Sequence, residues 1–208
     1  MITSISMRVS GMSKSDYEKW NRKYQKNEKL LQRREPSSVI SQYIPAVTTN
    51  KRALDIACGS GRNTLCLASM GYMVDAVDIA LQPLQKLKEF ANDDKIYDNI
   101  NIYMADLDSF EIPDTTYSVV VMANYLDRDL ITKTREYIEI GGYFILDTYI
   151  DDIRNEKIDS NKEYLLKEKE VASLFGDKFE IVYKSTYQNE SYELYRMFKM
   201  AIVAKRIR

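Results

Sequence analysis

Short apolar runs alternate with amphipathic segments through most of the chain. Five runs have the length and composition of strands: Ala53–Ala57, Tyr72–Val77, Ile100–Ala105, Tyr117–Ala123 and Tyr143–Tyr149. Between them, apolar residues recur at helical spacing in Arg62–Met70, in Leu81 to about Asn92 and in Asp127–Ile138. The β-branched centre of Tyr117–Ala123 predicts a fully buried strand in the middle of a sheet.

The chain before the first strand is polar and carries one aromatic pattern. Residues 1–14 predict no defined element. From Ser15 onward, Tyr17, Trp20 and Tyr24 lie three and four residues apart, which predicts a helix with an aromatic face. A short second helix is predicted over Ser37–Tyr43, because the preceding proline suits a first helical turn. Residues 15–45 therefore predict helices that dock on the core or form a lid over a ligand site.

The last third of the chain predicts one more helix and a strand pair. A charged connection precedes a helix over Tyr164–Phe175, which Gly176 ends. The strands Phe179–Tyr187 and Glu193–Lys205 flank the turn-like Gln188–Ser191, so we expect an antiparallel hairpin. Strands that alternate with helices and end in a hairpin predict an α/β three-layer sandwich, with a Rossmann-like, mostly parallel sheet of seven strands. We expect residues 15–208 to form a single domain.

The composition excludes several kinds of partner, site and catalysis. The 30 basic and 31 acidic residues leave a net charge of −1, which gives no general attraction to nucleic acid or anionic membrane. No apolar run is long enough to span a bilayer and no signal peptide is evident, so we expect a cytoplasmic protein. The two cysteines lack zinc or disulfide spacing, and no metal site is predicted. The chain has no histidine, which excludes catalysis by imidazole.

A glycine turn follows the first predicted strand. Cys58-Gly59-Ser60-Gly61 lets a ligand approach the backbone closely, and a helix begins directly after it. Asp55 lies before the turn, and Asp78 ends the next strand 23 residues later. This pattern predicts a nucleotide-binding βαβ unit. Thr64 stands where a dinucleotide fingerprint has its third glycine, and the lysine of a phosphate-binding P-loop is absent.

With these motifs the chain resembles the class I S-adenosylmethionine-dependent methyltransferases. Leu54–Gly61 resembles their first motif, with Ala57 in place of its first glycine. Asp78, Asp106 and Ala123-Asn124 stand at the ends of the second, third and fourth predicted strands, where this family places donor contacts, and Gly141-Gly142 resembles the turn before its fifth strand. Three shorter motifs are similar to the branch of small cytoplasmic enzymes that includes the tellurite-resistance and thiopurine-like methyltransferases: Trp20 to Tyr24, Glu35-Pro36-Ser37 and Cys58 to Asn63.

The resemblance implies a binding site for S-adenosylmethionine, with S-adenosylhomocysteine as product. Asp78 would bind the ribose hydroxyls, although an acid there also suits a helix N-cap. Asp106 would accept from the adenine amine or simply start a loop, and Asp55 would orient the turn. The resemblance implies four further groups of donor contacts. Ile79 and Leu107 would flank adenine, and Ala57, Cys58, Gly59, Gly61 and Asn63 belong to the turn and its helix. Ala123 and Asn124 end the fourth strand, and Tyr17, Trp20 and Tyr24 are the aromatic residues of the lid. We expect Cys58 to be a small apolar filler.

The sequence does not identify the methyl acceptor. Methyl transfer from a sulfonium is an in-line displacement, so an ionised thiol or a metalloid oxyanion needs no base. A hydroxyl acceptor would need one, for which Tyr125, Asp127 and Tyr149 are candidates. A small-molecule acceptor is favoured. The alternatives are methylation of tRNA or rRNA, which the balanced charge disfavours, and a non-catalytic regulator that binds S-adenosylmethionine.

Overall fold

The computed structural model describes residues 8–9, 13–44, 50–157, 161–191 and 193–208. These residues divide into two compact units. Unit 1 comprises Met1–Pro36 and Lys51–Asp114, and unit 2 comprises Ser37–Asn50 and Thr115–Arg208. The expectation of one domain over residues 15–208 stays a prediction. Most of the polar N-terminal stretch and of the connection from residue 45 to the first predicted strand lies outside the described residues.

Unit 1 is a parallel sheet with helices. Its elements are β1 (Arg8–Val9), α1 (Lys14–Lys26), β2 (Arg52–Ile56), α3 (Arg62–Ser69), β3 (Met73–Asp78), α4 (Leu81–Asp93) and β4 (Ile100–Met104). Short 3-10 turns cover Glu28–Leu31 and Tyr97–Asn99. The strands lie in the order β1-β4-β3-β2, and each neighbouring pair is parallel. The carboxyl ends of β2, β3 and β4 therefore meet at one edge.

The interior of unit 1 explains why its elements were visible in the sequence. Leu54, Val74 and Ala76 are fully buried in adjacent strands, and Leu67 and Leu84 are fully buried on helices. In a parallel sheet that is covered on both faces, each strand appears in the sequence as a continuous run of apolar residues. The predicted βαβ unit is confirmed, and the ends of its strands and helix differ from the prediction by one residue.

Unit 2 joins a parallel strand pair to an antiparallel one. Its elements are α2 (Ser38–Tyr43), β5 (Tyr117–Ala123), α5 (Arg128–Thr134), β6 (Ile138–Tyr149), α6 (Val171–Phe175), β7 (Phe179–Gln188) and β8 (Phe198–Arg206). The order is β5-β6-β8-β7. β5 and β6 are parallel, whereas β8 is antiparallel to both β6 and β7. The predicted α/β, Rossmann-like class with antiparallel C-terminal strands is confirmed. Among the described residues, a two-residue β1 adds to the seven predicted strands.

The prediction of a glycine turn at Gly141-Gly142 is wrong. Both residues lie inside β6, which runs without interruption from Ile138 to Tyr149. The pairing with β5 shifts from Tyr117↔Ile138 to Val119↔Tyr143, so β6 bulges at its glycines. Gly141 has a φ of 88°, a left-handed conformation that glycine adopts without strain.

Two predicted helices end or begin elsewhere. The helix predicted over Asp127–Ile138 stops at Thr134, because a 3-10 turn leads into β6 at Ile138. The helix predicted over Tyr164–Phe175 is α6, which begins only at Val171. Leu166 cannot be helical because it forms a parallel bridge with Ile150. The extended bridge outweighs the local helix preference of that segment.

The second strand of the hairpin starts later than predicted. β8 begins at Phe198 instead of Glu193. The residues before it are held by Asn189, whose side-chain amide donates to Tyr195 O and whose Oδ1 accepts from Met197 N. These bonds replace the ladder that a strand would form there. The connection between β7 and β8 is therefore a longer loop than the predicted turn.

Candidate functional site

The glycine turn at the end of β2 has an unusual backbone. Ala57, Gly59 and Gly61 have φ values of 55°, 56° and 81°. Ala57, the departure from the first methyltransferase motif, thus adopts a left-handed conformation that costs an alanine energy. Cys58 N donates to Val77 O at 3.0 Å, and Gly61 N donates to Cys58 O at 3.0 Å. The turn is therefore fixed to β3 and to itself.

Asp78 ends β3 with its carboxylate against this turn. The residue is 6% exposed, and its Oδ2 accepts from Gly59 N at 2.8 Å. Its Oδ1 accepts from Ala80 N, also at 2.8 Å. Burial raises the pKa of Asp78, and the two amide bonds oppose that rise. The N-cap position of α4 is Ala80, so the helix-cap alternative for Asp78 does not match the structure.

Asp55 lies one strand away in the same unit. It is 1% exposed, and its Oδ2 accepts from Thr64 Oγ1 at 2.5 Å. Burial raises the pKa of Asp55 to about 7, while the Thr64 bonds and the charge of Arg62 counteract part of the rise. Thr64 is fully buried on α3. The residue that breaks the dinucleotide fingerprint is therefore the hydrogen-bond partner of Asp55.

Asp106 follows β4 and is held by two backbone amides. It is 8% exposed, its Oδ2 accepts from Ser13 N at 2.9 Å and its Oδ1 from Asp108 N at 3.1 Å. Ser13 is the N-cap residue of α1, so that helix begins earlier than the predicted Ser15. Asp106 thereby fixes the start of α1. Its contact with adenine stays a prediction, as does the adenine contact of Ile79 and the half-buried Leu107.

Helix α1 brings one tyrosine to the glycine turn. A Cβ added at Gly59 would lie 2.8 Å from the Tyr24 hydroxyl oxygen. Burial, and next the charge of Asp78, raise the pKa of Tyr24 well above its ordinary value. Trp20 is half-buried, and Lys23 Nζ lies 4.7 Å from its ring centroid. Tyr17 lines a cavity of about 390 Å³ between α1 and the start of α4, together with Glu18, Asn21, Arg22, Gln25, Leu81 and Gln82.

Sequence reasoning missed Arg34. Its Nη2 donates to Ser60 Oγ at 3.4 Å, and Ser60 Oγ donates to Leu30 O at 2.9 Å. The positive charge of Arg34 opposes part of the rise in the pKa of Tyr24. Arg34 is one of five charged residues between residues 28 and 35, and nothing in the sequence marks it among them. The buried Asn63 stands at the start of α3.

The predicted site residues of unit 2 differ in burial and in hydrogen bonding. Asn124 follows β5 with a φ of 57°, its N donates to Asp147 O at 2.8 Å, and its buried Oδ1 has no hydrogen-bond partner. Ala123 ends β5, and Tyr125 is half-buried. Asp127 is the N-cap of α5, where its Oδ1 accepts from Leu130 N at 2.8 Å. That helix cap uses the carboxylate we considered as a base.

The cysteines and acids of the described residues form no metal centre. No group of three or more His, Cys, Asp or Glu residues in the described ranges could hold a metal ion. Cys58 is 8% exposed, and burial raises the pKa of its thiol well above the ordinary value. The role of Cys58 as an apolar filler stays a prediction. Across the described ranges, no helix combines the length and the apolar character that crossing a membrane requires.

The segment around the turn is similar to known proteins. A family model described as a methyltransferase domain matches residues 53–139. Over these residues the chain is similar to that family. Over 103 residues the chain is 30% identical to the "Probable S-adenosyl-L-methionine-dependent methyltransferase TehB" of Haemophilus influenzae, a match that covers 46% of this chain and 35% of TehB. These matches bear out the resemblance to S-adenosylmethionine-dependent methyltransferases over this part of the chain.

Solved structures agree with the fold. TehB from Haemophilus influenzae superimposes with a TM-score of 0.63 at 21% identity, over 76% of this chain and 58% of TehB. An S-adenosylmethionine-dependent methyltransferase from Methanosarcina mazei gives 0.63 at 19% identity, over 84% and 99% of the two chains. The glycopeptide N-methyltransferase MtfA, complexed with S-adenosylmethionine, gives 0.56 at 17% identity, over 81% and 86%. The chain spans about a third of the length of the TehB sequence it matches.

Proposed function

We propose that this chain is an S-adenosylmethionine-dependent methyltransferase whose donor site is the edge of unit 1 formed by the glycine turn, Asp78 and Asp106. The observation that carries the proposal is the Asp78 carboxylate, which the amides of Gly59 and Ala80 fix above the turn. Each carboxylate oxygen has two lone pairs, so each can accept one further bond from a cis-diol. The methyltransferase-domain match over this segment supports the same function.

The residues around the turn fit the remaining parts of this donor. The left-handed glycines leave the backbone open to close approach, and Ile79 and Leu107 offer apolar surface for a base. The carboxyl group of Asp55 can accept from the ammonium of the donor's amino acid tail, and that cation would favour the ionised form of Asp55. Arg34, whose Nη2 donates to Ser60 Oγ, has the charge and planar donors for the tail carboxylate. When bound, S-adenosylmethionine supplies a methyl group on a sulfonium that is also its leaving group.

A calorimetric titration tests this donor site. We expect S-adenosylhomocysteine to bind the wild-type chain and to bind Asp78→Asn about a hundredfold more weakly, because an amide cannot accept both ribose hydroxyls and carries no charge. Asp93→Asn, on the exposed side of α4, is the matched control and should bind like wild type. Absence of binding to the wild-type chain, or equal binding by Asp78→Asn, contradicts the proposal.

We further propose a small-molecule acceptor, a thiol, a metalloid oxyanion or a hydroxyl compound, and a cytoplasmic location. The near-neutral charge supports this choice over RNA, because RNA-binding surfaces are strongly basic. Labelled methyl transfer to small acceptors and to tRNA and rRNA distinguishes the two. Tight donor binding without transfer to any acceptor would instead indicate a regulator that binds S-adenosylmethionine.

A further inference from the structure

Two buried acids lie close together on neighbouring strands of unit 1. Asp55 is 1% exposed and Asp78 is 6% exposed. Asp55 pairs with Ala76 in the register of β2 and β3, and Asp78 follows Ala76 by two residues. Side chains in register, and those two residues apart on a strand, project from the same face of a sheet. The two carboxyl groups therefore share one face, and Asp78 reaches the glycine turn through Gly59 N.

The two acids differ in what stabilises their charge. Asp78 accepts from two backbone amides, which favour its ionised form. Asp55 accepts from the neutral hydroxyl of Thr64 on α3. Arg62, the first residue of α3 and 7% exposed, acts on Asp55 as a cation, whereas Asp78 acts on it as an anion. These two charges oppose each other, so burial dominates at Asp55.

The surroundings of Asp55 favour its protonated form up to neutral pH. Burial raises the pKa of Asp55 to about 7, against the opposing effects of its Thr64 bonds and of Arg62. The Cys58 thiol of the turn adds no charge, because burial, and next the charges of Asp55 and Asp78, raise its pKa well above the ordinary value. Asp55 is therefore a carboxyl group whose charge a cationic ligand can change near neutral pH.

S-adenosylmethionine and its product differ by one positive charge. The donor carries a sulfonium and an ammonium against one carboxylate, whereas S-adenosylhomocysteine lacks the sulfonium charge. In the proposed donor site the ribose lies on Asp78, and the sulfonium is bonded to the carbon that extends from that ribose. A cation in buried, low-dielectric surroundings acts strongly on a nearby carboxyl group. The donor therefore brings more positive charge than the product to the end of the sheet that holds Asp55.

We propose, on the basis of the methyltransferase function proposed above, that Asp55 distinguishes the cationic donor from its neutral product by releasing a proton when S-adenosylmethionine binds. The O–H bond of the Asp55 carboxyl group breaks, its electron pair stays on the oxygen, and the proton goes to the solvent. The new carboxylate compensates the positive charge of the donor. Methyl transfer removes the sulfonium charge, so Asp55 takes up a proton from the solvent again and the product is held less tightly.

Calorimetry in two buffers of different ionisation enthalpy measures the protons released on binding. 5′-Methylthioadenosine has the ribose but neither cation, so it reports any release that comes from the Asp78 side alone. At about pH 6 we expect the wild-type chain to release most of one proton per bound S-adenosylmethionine, fewer per S-adenosylhomocysteine and fewest per 5′-methylthioadenosine. The affinity for the donor should fall about tenfold between pH 7 and pH 5.5, more steeply than the affinity for the product.

Two variants assign the proton to Asp55. Asp55→Asn removes the titrating group and keeps an oxygen that can accept from Thr64. Its proton release with the donor should fall to the level of 5′-methylthioadenosine, and its ratio of donor to product affinity should not change with pH. Thr64→Val keeps the carboxyl group and removes the hydroxyl that favours its ionised form, so the release should move to higher pH. Asp93→Asn, exposed on α4, is the control and should match wild type.

Binding of 5′-methylthioadenosine verifies that each variant is folded and that its ribose side is intact. Equal proton release with all three ligands, or donor-linked release that persists in Asp55→Asn, overturns the proposal and leaves the methyltransferase function standing. A pH dependence in Thr64→Val that is identical to that of wild type also contradicts it. If the wild-type chain binds none of the three ligands, the proposed function and the role of Asp55 both fail.

Discussion

Asp78 in unit 1 and Asp147 in unit 2 are both buried carboxylates at or near the carboxyl end of a strand, but they are held in different ways. Asp78 accepts from backbone amides of Gly59 and Ala80, both within 19 residues of it. Asp147 is held by the side chains of Ser37, Tyr187 and Lys199, which lie 40 to 110 residues away or in another strand. The first arrangement depends on a local fold, and the second on these particular side chains.

The difference suggests a division of tasks. A backbone-held acid tolerates changes in its neighbours' side chains and so suits a ligand common to many related enzymes. A side-chain-held acid changes with each substitution around it and suits a ligand particular to one enzyme. The backbone-held acid is therefore the one that suits the donor, as proposed above.

The largest expected loss of stability follows from removing the cation that pairs with Asp147. Lys199→Met should lower the free energy of unfolding by about 3 to 5 kcal/mol, because it leaves the buried Asp147 without its cation. Adding Asp147→Asn in the same chain should recover part of the loss, since no uncompensated charge then remains. Chemical denaturation measures both. A Lys199→Met chain as stable as wild type would show that the ion pair does not hold this site together.

A pH series probes a third buried acid, Asp55. Its pKa of about 7 in the folded chain lies above the ordinary 3.8, so the folded state keeps the proton to higher pH. The contribution to stability is complete below about pH 4 and is lost as the pH rises through about 7, by up to about 4 kcal/mol. Asp55→Asn should lack this loss. Denaturation of both chains between those pH values measures the difference, and parallel curves would contradict it.

A pair of glycine substitutions separates backbone strain from packing. Gly61→Ala should cost about 2 to 4 kcal/mol, because its φ is 81° and the new Cβ would overlap Leu87 Cδ1. Gly141→Ala, with φ at 88° and nothing within 4 Å of its Cβ, should cost about 1 to 2 kcal/mol from strain alone. Thermal or chemical unfolding gives both values. Equal losses would mean that the contact with Leu87 does not constrain the turn.

The smallest expected effect is a loss of donor affinity, which tests the role of Arg34 in the donor site. Arg34→Gln should weaken binding of S-adenosylhomocysteine about ten- to a hundredfold, because the tail carboxylate loses its cation. Binding of 5′-methylthioadenosine, which lacks that tail, should not change. The control is Arg33→Gln, whose arginine pairs with Asp94 at 2.8 Å. If both nucleosides lose affinity equally, Arg34 acts on the shape of the turn and does not bind the tail.

The same contrast explains what the sequence could predict. The turn, Asp55, Asp78 and their strands were predicted nearly to the residue, because strand, glycine turn and helix are encoded in one continuous segment. Gly141-Gly142 was misjudged because a glycine bulge and a glycine turn look alike without knowledge of the strand partner. The positions of Arg34 and of the side chains around Asp147 depend on contacts between distant segments, and no spacing rule connects Ser37, Tyr187 and Lys199 to Asp147.

A structure of the chain with S-adenosylhomocysteine bound tests the central claim most directly. We predict that the ribose hydroxyls lie within about 2.6 to 3.2 Å of the Asp78 carboxylate, with the Gly59 and Ala80 amides still bonded to it. A ribose bound elsewhere, with Asp78 bonded only to its two amides, would contradict the assignment of the donor to the backbone-held site.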